Sequence, residues 1–401
     1  MKNQTIYRQL QKHLNTMPIG FPAAKSGADI KLLMSIFTPE EAKIVCALSY
    51  KPETLDAIFQ RINTNLVSSK EALAKILDRI QKKGGIESKV RSGVRYYSNA
   101  PLVVGIYEMQ VNRLTPEFLE YFNEYINDIN FALEFLSSKK FQMRTIPIQK
   151  SITPTHNVSQ FDEVISLFDN ASPPFVVLDC ICRKKKSMEG ESCKVTDRQE
   201  TCIVVGEFAS TALLMDIGRE ITRDDAISII DKNQKQGLVL QPSNTEKIDF
   251  ICSCCGCCCG MLAIHKKLPI PNEFWSSNFY AVVDSDSCNG CGVCEKRCQV
   301  EAVKIISNKN TTLKQYNSSQ EFTKAVIDFN ICVGCGLCVT TCSKKAISLV
   351  KKEQEIKPPT NREELYEVIM SHKQGTFGKL KVAGQLVKGV IKTGNTALLR
   401  K

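Results

Sequence analysis

The stretch Cys288-Asn-Gly-Cys291-Gly-Val-Cys294-Glu-Lys-Arg-Cys298 decides the reading of this chain, because it occurs twice. Its second copy is Cys332-Val-Gly-Cys335-Gly-Leu-Cys338-Val-Thr-Thr-Cys342. Each follows the spacing C-x2-C-x2-C-x3-C. Three thiolates three residues apart let one tight loop wrap a four-iron cube and reach three of its irons. Gly290 and Gly292, and Gly334 and Gly336, permit the tight backbone that this wrapping needs. The fourth cysteine of each run points the other way, into the segment that follows. Zinc sites more often pair two C-x2-C knuckles around one ion, so iron–sulfur chemistry is the better reading of both runs.

The doubled spacing resembles that of bacterial two-cluster ferredoxins. The resemblance implies that the fourth cysteine of each run binds the other run's cube. It assigns Cys288, Cys291, Cys294 and Cys342 to one 4Fe–4S cluster, and Cys332, Cys335, Cys338 and Cys298 to a second. Those ferredoxins usually carry Pro after the fourth cysteine, where this chain has Gln299 and Ser343. The flanks repeat as well. Ala281-Val-Val-Asp and Ala325-Val-Ile-Asp read as strands entering the runs, and Ala302-Val-Lys-Ile and Ala346-Ile-Ser-Leu as strands leaving them. The polar stretch from Ser307 to Gln320 reads as an insertion between the halves.

Nineteen cysteines in 401 residues need a compartment. With no secretory apolar region and no apolar run of spanning length, a disulfide scaffold is not expected. A reducing cytoplasm is, and clusters of this kind suggest an anaerobic host. The length allows two or three domains with cores of their own. The net charge of +11 lies at the two ends, 1–150 and 351–401, while the middle is close to neutral. Basic ends can meet nucleic acid, anionic lipid or an acidic protein.

From the N-terminus, Leu10, Leu14 and Met17 form one apolar face ahead of the Pro18–Pro22 break. Thr38-Pro39-Glu40-Glu41 starts a helix with an N-cap, Pro at the first position and a capping-box Glu. A second helix runs from about Glu53 to Ile62. A third is capped by Ser68, with a stripe of Leu73, Ile76, Leu77 and Ile80. Two strands then surround Arg91-Ser-Gly93. Three helices and a basic hairpin make a winged-helix-like pattern. Its third helix offers Lys70, Lys75 and Arg79, and its wing Lys89, Arg91 and Arg95. Docking to protein is favoured over reading DNA. Thr115-Pro116 opens a helix whose aromatic load, from Phe118 to Phe135, suits a core or a homodimer interface.

The middle holds ten more cysteines. Cys180, Cys182, Cys193 and Cys202 follow C-x1-C-x10-C-x8-C and read as a set of thiolates for a third 4Fe–4S cluster or a structural zinc. Arg183 and Lys184 to Lys186 would offset its charge. Cys252, Cys254, Cys255, Cys257, Cys258 and Cys259 put six thiols in eight residues, far beyond any packing need. They read as a further cluster, as completion of the Cys180–Cys202 site, or as redox thiols. His265 after them reads as a surface residue.

Gly20-Phe-Pro, Phe37-Thr-Pro-Glu-Glu, Val104-Gly-Ile-Tyr, Gln110-Val-Asn-Arg-Leu114, Cys180-Ile-Cys182-Arg183, Leu240-Gln-Pro-Ser243, the Cys252–Gly260 run and Asn278-Phe-Tyr-Ala-Val-Val-Asp284 together resemble a group of bacterial and archaeal 4Fe–4S dicluster ferredoxin-domain proteins. The resemblance covers nearly the whole chain. It implies a helical N-terminal module, a cysteine-rich middle and a dicluster module, and it supplies no reaction. The expected fold is therefore α+β and multidomain. It comprises a winged-helix-like module (1–112), a mainly helical cysteine-rich iron–sulfur domain (113–273), a two-cluster ferredoxin fold (274–352) and a basic amphipathic helical tail (353–401).

In the tail, Phe377, Leu380, Ala383, Val387 and Ile391 recur at helical spacing, with seven basic and no acidic residues after Ser371. Packing or docking on a partner is expected of it, and peripheral contact with an anionic membrane is the alternative. No nucleotide fingerprint and no nucleophile–base set is legible. The reading is an electron-transfer protein serving a partner oxidoreductase. A redox-responsive regulator acting through the winged helix, and a reductase with a substrate site near Cys252–Cys259, are the alternatives.

Overall fold

The computed structural model describes residues 2–62, 66–138, 140–307, 323–373 and 375–396. In chain order its helices are α1 (Lys2–Asn15), α2 (Ala28–Ile36), α3 (Pro39–Val45), α4 (Leu55–Arg61), α5 (Lys70–Lys82), α6 (Pro116–Ile126), α7 (Ile129–Ser137), α8 (Val164–Asp169), α9 (Ile181–Met188), α10 (Gly206–Leu214), α11 (Arg223–Gln236), α12 (Gly260–Lys267), α13 (Val293–Arg297), α14 (Leu337–Thr341), α15 (Arg362–His372) and α16 (Gly375–Thr393). The strands are β1 (Glu53–Thr54), β2 (Ile86–Arg91), β3 (Val94–Asn99), β4 (Phe175–Asp179), β5 (Glu200–Val205), β6 (Gly218–Ile221), β7 (Val239–Pro242), β8 (Phe250–Cys254), β9 (Phe279–Val283), β10 (Val303–Ser307), β11 (Thr323–Ile327) and β12 (Ile347–Lys351).

In the first hundred residues the capping residues act as the sequence requires. Thr38 and Glu41 form a full capping box at α3. Ser69, one residue beyond the expected Ser68, caps α5 by accepting from Ala72 N. Helices α3, α4 and α5 lead into the hairpin β2–β3, and β1 adds to its β3 edge. The hairpin does not stand free. Thr211 Oγ1 of α10 donates to Ser88 O at 2.6 Å. Lys89 and Arg91 pair with Glu207 and Glu363.

The expectation of a mainly helical middle is corrected. Its centre is a five-stranded antiparallel sheet in the order β6-β4-β5-β8-β7, with helices around it. Period-2 alternation divides its side chains between two cores. Val176, Leu178, Val204 and Phe250 face a core shared with the N-terminal helices and the tail. Phe175, Val177, Ile203, Val205 and Ile251 face a core shared with the dicluster segment. Buried on both faces, β4, β5 and β8 are apolar over most of their length, and this hides the alternation that marks a strand in sequence. Ile146-Pro-Ile-Gln-Lys150, whose sequence suggests a strand, forms none. Ile146 N instead bonds Leu240 O beside β7. The stretch Val158–Asn170, whose apolar spacing suggests one helix, is α-helical only over α8.

Residues 279–396 close the molecule. Strands β9 and β12 pair antiparallel, as do β10 and β11, with α13 and α14 between them. The expected insertion between the halves, beyond Ser307, lies outside the described residues. Helix α15 is clamped by Arg362 to Glu87 and Asp249. Lys373 and Lys379 both reach the buried Glu134 of α7, which straps α16 to the N-terminal side.

Candidate metal centre

The two ferredoxin-spaced runs sit in matching backbone, each feature recurring 44 residues on, as Cys332 follows Cys288. Ala325 N donates to Cys288 Sγ at 3.4 Å, and Ala281 N to Cys332 Sγ at 3.4 Å. Ala302 N donates to Cys298 Sγ at 3.2 Å, and Ala346 N to Cys342 Sγ at 3.3 Å. Such N–H···S bonds favour the thiolate, the form that binds iron. Gly290 and Gly334 hold φ of +68° and +66°, and a Cβ at either would overlap a carbonyl oxygen, of Thr323 and Phe279 respectively. The residues thus fit the cubes that their spacing implies. Cys335 lies electrostatically nearest Cys298 and Cys332, and Cys294 nearest Cys288 and Cys291. Burial pushes the Cys335 thiol up to about 12 in the absence of metal. The two runs differ in exposure: Cys291 is open to solvent, while Cys332 and Cys338 are buried.

Residues 287–346 match the model of the 4Fe–4S dicluster domain family. This stretch is a ferredoxin-type iron–sulfur domain. Neither a curated protein nor a solved structure matches the chain.

The ferredoxin-type domain touches the turn that carries the middle cysteines, at Gly256. Gln299, standing where ferredoxins usually carry Pro, accepts from Gly256 N at 2.8 Å through Oε1. A side chain at position 256 would overlap the Gln299 carbonyl. Lys266 Nζ bonds both Gly256 O and Glu301 of the dicluster segment. Arg297 donates to the carbonyls of Gln234, Lys235 and Gln236 at the end of α11.

The ten middle cysteines fall into two sets, and neither is the expected quartet of Cys180, Cys182, Cys193 and Cys202. Six lie close enough to act on one another's charge as neighbours around a closed ring, running Cys180, Cys182, Cys259, Cys254, Cys252, Cys202 and back to Cys180. Strand pairing assembles it. Strand β4 delivers Cys180 and lies in register with β5 at Leu178↔Cys202, and β5 pairs with β8 at Ile203↔Ile251, which carries Cys202 alongside Cys252. Helix α9 carries Cys182, and the start of α12 carries Cys259.

The other four, Cys193, Cys255, Cys257 and Cys258, have all their sulfurs within 4.8 Å of one another. Cys193 leaves the expected set because the loop after α9 turns it toward the Cys255–Cys259 turn. Its sulfur lies 3.6 Å from Cys255 and 3.7 Å from Cys257. The neighbouring Cys258 thiol draws Cys255 down to about 5, with help from the Arg183 charge, and is itself pushed up.

Arg183 stands between the sets and is 2% exposed. It donates to Thr201 Oγ1 and to the Arg198 and Ser253 carbonyls, while its Nε has no partner. Among the described residues no carboxylate pairs with it. The groups that hold its charge are the thiols of Cys180, Cys202, Cys255 and Cys254. A buried cation without a carboxylate is costly unless an anion lies close, and thiolates carrying a metal centre are that anion. The middle cysteines therefore fit bound metal. His265 is not on the surface: it is fully buried, edge-on to Trp275 at 4.8 Å, and burial draws its pKa down to about 4.

Proposed function

We propose that this chain relays single electrons between a partner oxidoreductase and a third iron–sulfur centre in the Cys180–Cys259 ring. Bound 4Fe–4S cubes supply the one-electron chemistry. The chain's residues supply the path. Cys291 opens the first ligand set, Cys288, Cys291, Cys294 and Cys342, to a partner. Cys332, Cys335 and Cys338 with Cys298 form the buried second set. The Gln299–Gly256 contact is the observation that carries the proposal, because it joins the residue after Cys298 to the middle cysteines. Arg183 holds positive charge at the inner end, which favours the reduced state there.

The test is iron and acid-labile sulfide per chain after anaerobic purification, followed by reductive titration. Iron above eight with matching sulfide is expected, with the excess lost in Cys202→Ala/Cys252→Ala. Eight irons in both proteins would overturn the third centre.

The regulator reading receives less support. Of the six basic residues that a winged helix would offer to DNA, Lys70, Arg79, Lys89, Arg91 and Arg95 each pair with a carboxylate of this chain. The wing is occupied by α10 and α15, which favours a docking module.

The tail supports a peripheral contact. Helix α16 packs through Val382 and Leu386 and turns Phe377, Leu380, Val387 and Ile391 outward. Lys381, Lys388 and Lys392 flank that stripe. An anionic lipid surface suits this face. Co-sedimentation with phosphatidylglycerol vesicles, weakened by salt and by Phe377→Ser/Ile391→Ser, is the expected result. Retention on neutral vesicles alone would contradict it.

A further inference from the structure

Four thiols of the middle segment are spaced for one ion rather than for a cube. A tetrahedral ion with metal–sulfur bonds of about 2.3 Å sets its four sulfurs about 3.8 Å apart. A cube spreads its thiolates over four separate irons, to about 6 Å. The separations Cys193–Cys255, Cys193–Cys257 and Cys257–Cys258 are 3.6, 3.7 and 3.6 Å. All four sulfurs lie within 4.8 Å of one another. Among the described residues no other set meets that criterion, neither the ferredoxin runs nor the ring. The separations also exceed a disulfide bond of about 2.05 Å by far.

We propose that Cys193, Cys255, Cys257 and Cys258 form a closed tetrathiolate site for a single zinc ion. The local backbone is built for it. The Cys255–Cys259 turn is closed by Cys258 N and Cys259 N donating to Cys255 O, which brings three ligands onto one tight turn. Lys194 N donates to Cys257 Sγ at 3.4 Å, a second-shell bond of the kind that orients a thiolate ligand. Four thiolates on a divalent ion leave a net negative charge, and Arg183 and Lys266 lie close enough to offset it. Four protein ligands leave no open position, so the ion is structural and takes no part in redox chemistry.

The place of the site explains its use. Gly256 lies within the ligand turn and is also the residue that meets Gln299. Zinc here pins the loop carrying Cys193 to the turn that faces the ferredoxin-type domain, and so fixes the junction between the two cysteine-rich segments. The remaining six thiols stay free for the ring. The inference rests on the spacing of this quartet alone, and the iron–sulfur reading of the ring stands or falls separately.

The experiment is zinc, iron and sulfide analysis of the full chain purified anaerobically without chelator, with zinc K-edge X-ray absorption on the same sample. About one zinc per chain with four sulfur neighbours near 2.3 Å is expected. Cys257→Ser/Cys258→Ser should lose the zinc and keep the iron and sulfide of the unaltered chain. Oxygen or nitrogen in the zinc shell, iron in place of zinc, or loss of about four irons and four sulfides in the double variant would each overturn the proposal. Should the variant not fold, the absorption spectrum of the unaltered chain decides alone.

Discussion

Single residues carry much of the chemistry in this chain, and the glycines of the two runs show how narrowly. Gly290 and Gly334 combine a left-handed backbone with a carbonyl where a Cβ would go. Replacing Gly334 with Ala is expected to cost about 1–2 kcal/mol in backbone strain before the overlap is counted. It should remove roughly four irons per chain. Gly290→Ala should behave alike, and iron analysis of both variants checks the pair. Arg183 is the other decisive residue. Arg183→Met leaves the thiols of Cys180, Cys202, Cys254 and Cys255 without their buried counter-charge. A loss of about 3–5 kcal/mol in stability is expected, with a more negative midpoint for the middle centre. Urea unfolding and an EPR-monitored redox titration are the measurements. A variant as stable as the unaltered chain, with an unmoved midpoint, would show that the guanidinium faces no bound anion.

Among the elements, those whose determinants are local were legible in sequence and those assembled from a distance were not. Thr38-Pro39-Glu40-Glu41 and Thr115-Pro116 announce helices because caps act within four residues. The ferredoxin spacing is legible because three ligands of each cube come from one loop. That the Cys252–Cys259 run completes the Cys180–Cys202 site is one of the readings the sequence offers, but which thiols join the ring and which the quartet is illegible, because the members stand up to 79 residues apart, from Cys180 to Cys259, and strand pairing joins them. Strands β5 and β8 escape notice in part because, buried on both faces, they show no polar alternation. Cysteine adds to the ambiguity, being both a core residue and a ligand.

The wing shows a similar override. Its basic residues suggested an external partner, yet α10 and α15 supply the carboxylates. Burial raises the Glu363 carboxyl, but Lys89 and Arg91 outweigh it and hold it down to about 2. A depressed carboxylate stabilises fully above its unfolded value of 4.5, and that contribution fades as pH falls toward 2. Glu363→Ala should therefore cost about 1 kcal/mol near neutrality, the pair being partly exposed. The gap between variant and unaltered chain should narrow as pH falls below about 5 and close only near pH 2 in urea midpoints. A gap independent of pH would mean that Glu363 acts through packing.

At the scale of the molecule, the five-stranded sheet is a partition with a core on either side. One side holds the N-terminal helices and the tail, the other the ferredoxin-type domain. Ligands for metal collect where β4, β5 and β8 end and where the Gln299–Gly256 contact crosses between segments. Gln299→Pro restores the residue that ferredoxins usually carry and deletes the acceptor for Gly256 N. It should leave iron content unchanged and slow electron exchange between the dicluster segment and the middle centre, as read by flash reduction. Ser343→Pro, at the matching position of the other half, should leave that rate as it was. Equal slowing in both variants would mean that the junction at Gly256 has no part in the exchange.

The halves of the ferredoxin-type domain share a backbone plan but not their surroundings, and this inequality sets a sequence of decay in air. Oxygen reaches the solvent-facing Cys291 before it reaches the buried Cys332 or Cys338. A sample aged aerobically should thus bleach in two stages, the cube of the first ligand set ahead of that of the second.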